Sequence, residues 1–354
     1  MKTLPKDKLV VITGGAGFIG SNLADRLLSL GEEVLLLDNL SRDGVDQNLR
    51  WLQSRHGKRL RLSQHDVRNR TGVFEALRGA SSVFHLAAQV AVTTSLANPA
   101  LDFEVNAMGT LNVLEGLRRT NALAPVVFTS TNKVYGCMNG FALNSKKDRY
   151  VPTSRRIRER GFDETEPLAF VSPYGCSKGT ADQYILDYAN SYSLPTTVVR
   201  MSCIYGPRQM GTEDQGWVAH FFHQAIEDLP ITIYGDGRQV RDLLFVGDLV
   251  EALLLARERS RSIGGEVFNI GGGPANTASI REVVRMIGEF EERSLNVEFG
   301  DWRTGDQKYY VTNFSKFRSA TGWIPATSLR QGLRVLHAWM RDHYYCSPAQ
   351  TLAA

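Results

Sequence analysis

Seven short, strongly apolar runs, separated by longer polar or amphipathic segments, constrain this 354-residue chain more than any other feature. Several are apolar nearly throughout, as strands must be when helices cover both faces of their sheet. The alternation predicts an α/β fold built on a doubly wound parallel sheet. The predicted strands are residues 9–13, 33–38, 60–66, 82–88, 126–130, 197–201 and 266–270, with amphipathic helices at 21–30 and 102–119 among the segments between them.

Two stretches interrupt this alternation. Residues 137–170 are polar, basic and weakly periodic, and we expect a long surface loop or lid there. The densest basic patch of this stretch fits either a solvated loop or a charge cluster that faces a substrate; it consists of Arg155, Arg156, Arg158 and Arg160. Residues 203–245 and 273–354 mix short strands with helices and are expected to form a smaller second domain.

Composition excludes several classes of protein. Apolar residues make up 43% of the chain and charged residues 22%, which excludes disorder as the main state. The net charge of +4 suits a small anionic substrate and is too weak to indicate nucleic-acid binding. The four cysteines lack the spacing of metal ligands or of a disulfide framework, and no apolar run is long enough to span a membrane. We therefore expect a cytoplasmic protein with no metal site and no membrane span.

A glycine-rich turn follows the first predicted strand and opens a helix. Gly14, Gly17 and Gly20 have the spacing G-x-x-G-x-x-G, with Phe18 and Ile19 inside the motif. Glycine suits a turn of unusual φ and a backbone that approaches a pyrophosphate, while the helix N-terminus offers free N–H groups to phosphates. Many glycine-rich turns have no ligand, but the strand–turn–helix context indicates a dinucleotide site.

An acid at the end of the second predicted strand supports this interpretation. Asp38 lies 18 residues beyond Gly20, where a carboxylate can accept hydrogen bonds from the adenosine ribose, and Asn39 lies beside it. The carboxylate would repel a 2′-phosphate, so NAD is predicted rather than NADP, although Arg42 nearby would suit that phosphate. Residues at the ends of the next two strands fit either cofactor contacts or strand caps and packing: Asp66, Val67, Leu86, Ala87 and Ala88.

A Tyr-x-x-x-Lys motif supplies a candidate chemical centre. On a helix Tyr174 and Lys178 lie on one face, where the lysine can lower the pKa of the tyrosine and hold the nicotinamide ribose. The tyrosinate can then take a proton from a substrate hydroxyl while NAD takes a hydride from the same carbon. Thr131, at the end of a strand, would either hydrogen-bond the reacting oxygen or merely cap the strand.

Together these motifs resemble the extended short-chain dehydrogenase/reductases, the nucleotide-sugar epimerases and dehydratases, over about residues 8–340. The resemblance implies Thr131, Tyr174 and Lys178 as catalytic residues and Asn106 as a helix residue near the cofactor. It also implies a Rossmann-type NAD-binding domain and a smaller C-terminal α/β substrate domain that binds the sugar nucleotide. By sequence the first comprises residues 1–202 plus about 246–272, and the second comprises 203–245 plus 273–354.

The residues after Thr131 bear on the type of reaction. Sugar-nucleotide 4,6-dehydratases of this family carry Asp-Glu there, because dehydration needs an acid and a base at adjoining carbons. Asn132 and Lys133 cannot replace that pair, which favours redox epimerisation. Residues 89–99, 130–136, 172–189, 214–218 and 301–307 resemble members that epimerise C2 of the sugar. Epimerisation at C4 is the main alternative; dehydration, decarboxylation and a non-catalytic NAD-binding module are the others.

Several side chains are candidate contacts to the nucleotide sugar. Arg241 and Arg303 offer planar forks to the diphosphate, although each also fits a surface salt bridge. Gln239 and Trp217 are candidates for the sugar or base, and Trp217 also fits core packing. Asn132 is expected to contact the substrate from its place beside Thr131.

The resemblance also implies a homodimer. In this family two helices of each subunit form a four-helix interface, which here corresponds to residues of about 102–119 and 174–191. The second helix carries Tyr184, Ile185 and Tyr188 on faces that need cover, either from a partner subunit or from the chain's own sheet.

Overall fold

The structure, a computed structural model, describes residues 9–120, 124–303 and 305–345. Its strands are β1 (Leu9–Thr13), β2 (Val34–Leu37), β3 (Leu60–Ser63), β4 (Ala80–His85), β5 (Val126–Thr131), β6 (Leu143–Ser145), β7 (Tyr150–Pro152), β8 (Thr196–Met201), β9 (Cys203–Tyr205), β10 (Ile231–Tyr234), β11 (Val240–Phe245), β12 (Glu266–Ile270), β13 (Thr277–Ser279), β14 (Val297–Gly300) and β15 (Tyr309–Tyr310). Its helices are α1 (Phe18–Ser29), α2 (Val45–His56), α3 (Arg70–Ala76), α4 (Val92–Ala97), α5 (Pro99–Phe103), α6 (Gly109–Thr120), α7 (Arg155–Arg160), α8 (Ser172–Tyr192), α9 (Trp217–Ile226), α10 (Val246–Glu258), α11 (Ser260–Ile263), α12 (Ile280–Phe290), α13 (Ser315–Thr321) and α14 (Leu329–Tyr345).

Seven strands form one sheet in the order β12-β8-β5-β4-β1-β2-β3, and every neighbouring pair is parallel. The predicted doubly wound, Rossmann-type sheet is therefore confirmed. From β1 the chain moves outward to β3, returns to β4, and then moves outward to β12 on the other side. This reversal leaves a crevice at the carboxyl ends of β1 and β4, where ligands of such sheets bind.

The limits of the predicted elements are accurate at some places and wrong at others. The strand predicted at residues 266–270 is β12 with the same limits. The strands predicted at 60–66 and 82–88 are too long at their carboxyl ends, because β3 ends at Ser63 and β4 at His85. The predicted helix at 102–119 consists of α5, a π-helical turn at Glu104–Met108 and α6.

The core lies on both faces of the large sheet. Successive side chains of a strand point to opposite faces, so Val10 and Ile12 of β1 join one cluster and Val11 joins the other. The first cluster is completed by α1, α2 and α10, and the second by α3, α6 and α8. Burial on both faces explains why these strands are apolar throughout.

The second group of elements has a core of its own. β9, β13 and β15 pair with β11, β10 pairs with β14, and α9, α12 and α14 pack around them. Phe317 and Trp323, which the predicted division assigns to this part, instead pack in the core beside β1 and α10. The division into two domains stays a prediction. In the part of the chain that the structure describes, every helix is too short or too polar to span a lipid bilayer.

Residues 137–170 are folded, and the prediction of a long loop or lid is wrong. β6 and β7 form an antiparallel hairpin, and α7 follows it. Phe141, Ile157 and Phe162 pack with Tyr309 and Tyr310 of β15, so tertiary contacts fix a stretch that has little periodicity of its own. On the surface of α7, Arg155 pairs with Glu159 and Arg156 with Glu166, as in the solvated interpretation.

Candidate active site

A cavity of about 670 Å³ opens at the crevice between β1 and β4 and extends to α8. Every residue that the sequence analysis assigned to the cofactor lines its wall, except Asn106. These lining residues are Gly14, Gly17, Phe18, Ile19, Gly20, Asp38, Asn39, Asp66, Val67, Leu86, Ala87, Ala88 and Lys178.

The glycine turn brings backbone close to this cavity. Gly14 has φ of +67°, and a Cβ there would lie 2.8 Å from the amide nitrogen of Ala87. A Cβ on Gly20 would collide with the carbonyl oxygen of Gly14, so α1 can begin this close to β1 only with glycine. Gly17 caps α1 without a side-chain hydrogen bond, so no side chain satisfies the first N–H groups of the helix. This arrangement fits the pyrophosphate of NAD.

Asp38 is fixed at the far end of the cavity from α8. Its carboxylate accepts hydrogen bonds from the backbone N–H of Ala16 at 3.0 Å and of Leu40 at 2.9 Å. Burial raises the pKa of Asp38, while these two bonds and the charge of Arg42 act in the opposite direction. The Arg42 guanidinium donates to Gln215 Oε1 at 2.7 Å. The fixed carboxylate fits a ribose with two free hydroxyls.

Asn106 stands behind the cavity wall. It lies in the π-helical turn, buried, with its side chain accepting from the N–H of Gln89 at 2.9 Å and donating to the Gln89 carbonyl at 3.0 Å. Its amide also donates to Ser177 Oγ at 3.0 Å. Gln89 itself lines the cavity. Asn106 thus positions a wall residue, a role the sequence analysis did not assign.

The three predicted catalytic residues meet at the other end of the cavity. Thr131 is the last residue of β5, whereas Tyr174 and Lys178 lie one turn apart on α8. All three residues line the cavity wall. The Thr131 hydroxyl lies near enough to Tyr174 to act on the pKa of its phenol. Lys178 Nζ donates to the Thr129 carbonyl at 2.8 Å and lies 4.2 Å from the ring centre of Phe128. A phenol, a hydroxyl and an amine therefore surround one point of the cavity.

The protonation of this group differs from the sequence expectation. Burial raises the pKa of Tyr174 to about 12, although the Thr131 hydroxyl lowers it. Burial lowers the pKa of Lys178 to about 7, against the opposing charges of Asp182 and Asp102. The prediction that Lys178 lowers the pKa of Tyr174 is wrong for the chain alone, because the ammonium is directed at the Thr129 carbonyl and burial dominates.

A buried ion pair fastens α8 to the sheet beneath the catalytic residues. Arg200 of β8 donates to both carboxylate oxygens of Asp182 at 2.9 Å, and both side chains are nearly inaccessible to solvent. Arg200 also donates to Tyr135 Oη at 3.0 Å. This bidentate contact fixes the position of α8, and hence of Tyr174 and Lys178, against β5 and β8.

The predicted substrate contacts are only partly in the cavity. Trp217 lines it and donates through Nε1 to Cys203 Sγ at 3.2 Å. Asn132 is buried beside Thr131 and contacts Gln307 Oε1 at 3.4 Å. Gln239 is also buried, and its Nε2 donates to the Tyr234 carbonyl at 2.7 Å.

Both predicted phosphate-binding arginines are ion-paired outside the wall. Arg241 Nη2 lies 2.6 Å from Asp306 Oδ1, and only 12% of its side chain is accessible. Arg303 lies 3.4 Å from Asp214 and 4.0 Å from the ring centre of Tyr234. The salt bridge of Arg303 matches the surface alternative that the sequence left open, whereas that of Arg241 is largely buried.

Further polar residues of the cavity wall were not among the predicted contacts. They follow or end strands of the large sheet, or lie in the segment after β9: Ser130, Ser202, Gln209 and Gln215. The rule that sites form at the carboxyl ends of parallel strands could have identified the first two. Among the described residues, no group of three or more His, Cys, Asp or Glu side chains could hold a metal ion.

Comparisons with known proteins agree with this geometry. Residues 10–271 match the model of the NAD dependent epimerase/dehydratase family. CDP-paratose 2-epimerase of Salmonella typhi is 40% identical over 337 residues, which are 93% of this chain and 98% of that protein.

Solved structures show the same fold. UDP-glucose 4-epimerase of Thermus thermophilus in complex with NAD has a TM-score of 0.78 and 33% identity, over 94% of this chain and 99% of that one. UDP-glucuronic acid 4-epimerase of Bacillus cereus, with UDP-glucuronic acid and NAD, has a TM-score of 0.82 and 27% identity, over 95% and 100% of the two chains.

Proposed function

This chain belongs to the NAD dependent epimerase/dehydratase family and is an NAD-dependent nucleotide-sugar epimerase, and on that premise we propose that it inverts C2 of a CDP-linked dideoxysugar, as in the interconversion of CDP-paratose and CDP-tyvelose. The observation that carries the proposal is the 40% identity to CDP-paratose 2-epimerase over nearly the whole of both chains. Asn132 and Lys133, in place of an acidic pair, support epimerisation against dehydration.

In the proposed reaction Tyr174 takes the proton of the C2 hydroxyl and later returns it, while Thr131 hydrogen-bonds the same oxygen. NAD, when bound, would supply the acceptor for the C2 hydride and the donor that returns it to the opposite face of C2. Tyr174 and Thr131 are both nearly inaccessible to water and line the same cavity. The Thr129 carbonyl and the α8 backbone orient Lys178 toward the cofactor side of the cavity.

The residues present fit NAD along the whole cavity. The uncapped start of α1 suits the pyrophosphate, Asp38 suits the adenosine ribose, and Lys178 is placed for the nicotinamide ribose. Asn39 and Asp66, joined by a 2.8 Å hydrogen bond, line the same cavity and would suit the adenosine.

Epimerisation at C4 is the alternative, because both solved relatives named above act at C4 by their names. A substrate panel separates the two. The purified enzyme is incubated with CDP-, UDP- and dTDP-sugars, and NMR coupling constants show which carbon has inverted. Inversion at C2 of a CDP-sugar, with NAD released on denaturation, is expected. Inversion at C4 alone would contradict the proposal.

We propose further that the enzyme is a homodimer. Large apolar side chains are exposed on α8 and on three segments that pack against it, α4, α5 and the π-helical turn: Leu96, Phe103, Met108, Tyr184 and Tyr192. Ile185 and Tyr188 are covered by the chain itself, so only Tyr184 of the three predicted residues needs a partner. Sedimentation should give a dimer that Phe103→Glu dissociates and that Leu229→Glu, on another exposed residue, leaves intact. A monomeric wild-type enzyme at micromolar concentration would contradict the dimer.

We also propose that the enzyme works in the cytoplasm, where NAD and nucleotide sugars are made and used. Fractionation of cells that express the chain should recover it with cytoplasmic enzymes. Recovery in an extracytoplasmic fraction would contradict this location.

A further inference from the structure

Lys133 lies beside the proposed catalytic centre without a part in the mechanism described above. It belongs to the 3-10 turn Asn132–Tyr135 directly after β5, and its backbone N–H donates to Thr131 Oγ1 at 3.2 Å. Its ammonium donates to the Gly305 carbonyl at 3.3 Å. About a quarter of the side chain, 26%, is accessible. Lys133 therefore holds a cation at a fixed place near Thr131, with N–H bonds left for a ligand.

This cation is part of a cluster with an excess of positive charge. Asp306 Oδ1 lies 4.0 Å from Lys133 Nζ and 2.6 Å from Arg241 Nη2, so one negative charge is shared by two positive charges. The other titratable groups that face Lys133 are Cys137 and Cys203, and burial raises the pKa of Cys203 to about 11, which keeps that thiol neutral. A net positive charge in a largely buried place is costly unless an anion joins it.

Cys203 links this cluster to the cavity that holds the reacting groups. Cys203 lines the cavity wall together with Thr131 and Tyr174, and it interacts electrostatically with both Lys133 and Arg241. The Asn132 amide reaches Gln307, and Gln307 Nε2 donates to the Gly136 carbonyl at 2.7 Å, so the 305–307 segment is fixed against the turn. The two cations thus keep a constant position relative to Thr131.

We propose that Lys133 binds the glycosyl phosphate, the phosphate attached to C1 of the sugar, and thereby presents C2 rather than C4 to Thr131. The proposal rests on the proposed function. C2 is separated from that phosphorus only by C1 and the glycosidic oxygen, whereas C4 lies on the far side of the sugar ring. A cation fixed two residues from Thr131 therefore suits a reacting carbon next to the phosphate. Arg241, the other cation of the cluster, would then contact the phosphate that carries the cytidine.

The affinities for CDP and CMP test this assignment, because CDP has the phosphate that would become glycosyl and CMP lacks it. Calorimetry on the NAD-bound enzyme should show that Lys133→Met weakens CDP binding by about 10–100-fold, the usual value of a charge-assisted hydrogen bond, and leaves CMP binding within about twofold. Lys308→Met is the matched control, since the Lys308 ammonium lies over the rings of Tyr150 and Trp302, and it should change neither affinity. Equal losses for CDP and CMP, or no loss for either, would overturn the proposal.

The wild-type enzyme provides a test that needs no variant. Burial, and repulsion from Arg241, lower the pKa of Lys133 to about 8, against the attraction of Asp306. The ratio of CDP to CMP affinity should therefore fall as the pH rises from about 7.5 to 9.5, an interval in which both nucleotides keep a constant charge. A ratio that does not change with pH contradicts the proposal. The ratio of affinities could fall as expected while inversion occurs at C4. That result would support the contact between Lys133 and the phosphate, and it would contradict both the proposed function and the selection of C2.

Discussion

Replacement of Lys178 by methionine should stabilise the folded protein while it removes activity. Lys178 is only 3% exposed, and its ammonium is held by one carbonyl, that of Thr129. Methionine has a similar length and shape but no charge to desolvate. The variant separates the energetic cost of a buried amine from its proposed role in catalysis.

The magnitude follows from the pKa of the buried amine. Burial lowers the pKa of Lys178 from 10.5 to about 7. This difference corresponds to about 5 kcal/mol of unfavourable free energy when the lysine is fully protonated. The Thr129 carbonyl loses its hydrogen-bond donor in the variant, and this loss should offset about 1–3 kcal/mol of the stability gained. We expect the NAD-free variant to be more stable than wild type by about 2–4 kcal/mol at pH 6.

The pH dependence has a definite sign. Because the pKa is lowered in the folded state, the folded chain binds fewer protons at this site than the unfolded chain between about pH 7 and 10.5. Wild-type stability therefore rises with pH through that interval; the cost is complete below pH 7 and absent above 10.5. Between pH 6 and pH 9 the advantage of Lys178→Met should shrink by about 2–3 kcal/mol.

Thermal and urea unfolding of NAD-free protein at pH 6 and pH 9 measure this advantage. Lys316→Met is the control, because the Lys316 ammonium is exposed and paired with Glu266, and its loss should change stability little at either pH. A Lys178→Met variant that is no more stable than wild type at pH 6, or whose advantage is the same at both values, would refute the reasoning.

Three other substitutions have distinct expected results. Tyr174→Phe should lower kcat by about 10²–10⁴-fold with NAD content unchanged, and near-wild-type turnover would remove Tyr174 from the mechanism. Asp38→Ala should weaken NAD binding by about 10–100-fold and reduce the ratio of NAD affinity to NADP affinity, both measured by equilibrium dialysis. An unchanged affinity for NAD would exclude a contact between Asp38 and the ribose. Arg200→Met should lower the free energy of unfolding by about 3–5 kcal/mol, because it leaves the buried Asp182 carboxylate without a counter-charge. The double variant Arg200→Met/Asp182→Leu should recover most of that loss, and no recovery would mean that lost packing causes it.

The large sheet could be predicted because its signal is local. Strands buried on both faces are apolar throughout, and the limits of β12 follow directly from that pattern. The ends of β3 and β4 could not be read in the same way, because the chain leaves the sheet there while its residues remain suited to strands. Residues 137–170 were beyond local reasoning, since contacts such as those of Phe162 with Tyr309 and Tyr310 join segments far apart in sequence.

The candidate site shows the same division. The cofactor side is formed by motifs at the ends of adjacent parallel strands, so spacing alone brings Gly14, Asp38 and Ala87 to one cavity. The substrate side depends on Asp306, whose approach to Arg241 and Lys133 follows from the packing of a distant segment. Burial, which sets the pKa of Tyr174 and Lys178, is likewise a property of the assembled fold.

The fate of deuterium at C2 of the sugar tests the central claim most directly. The enzyme is incubated in ordinary water with a CDP-sugar deuterated at C2, and the product is analysed by NMR and mass spectrometry. If C2 inverts through transfer of a hydride to NAD and back, the label stays at C2 in the inverted product, because that hydrogen does not exchange with water. Loss of the label to solvent would show proton abstraction, and inversion at C4 with C2 unchanged would show a 4-epimerase; either result would contradict the account.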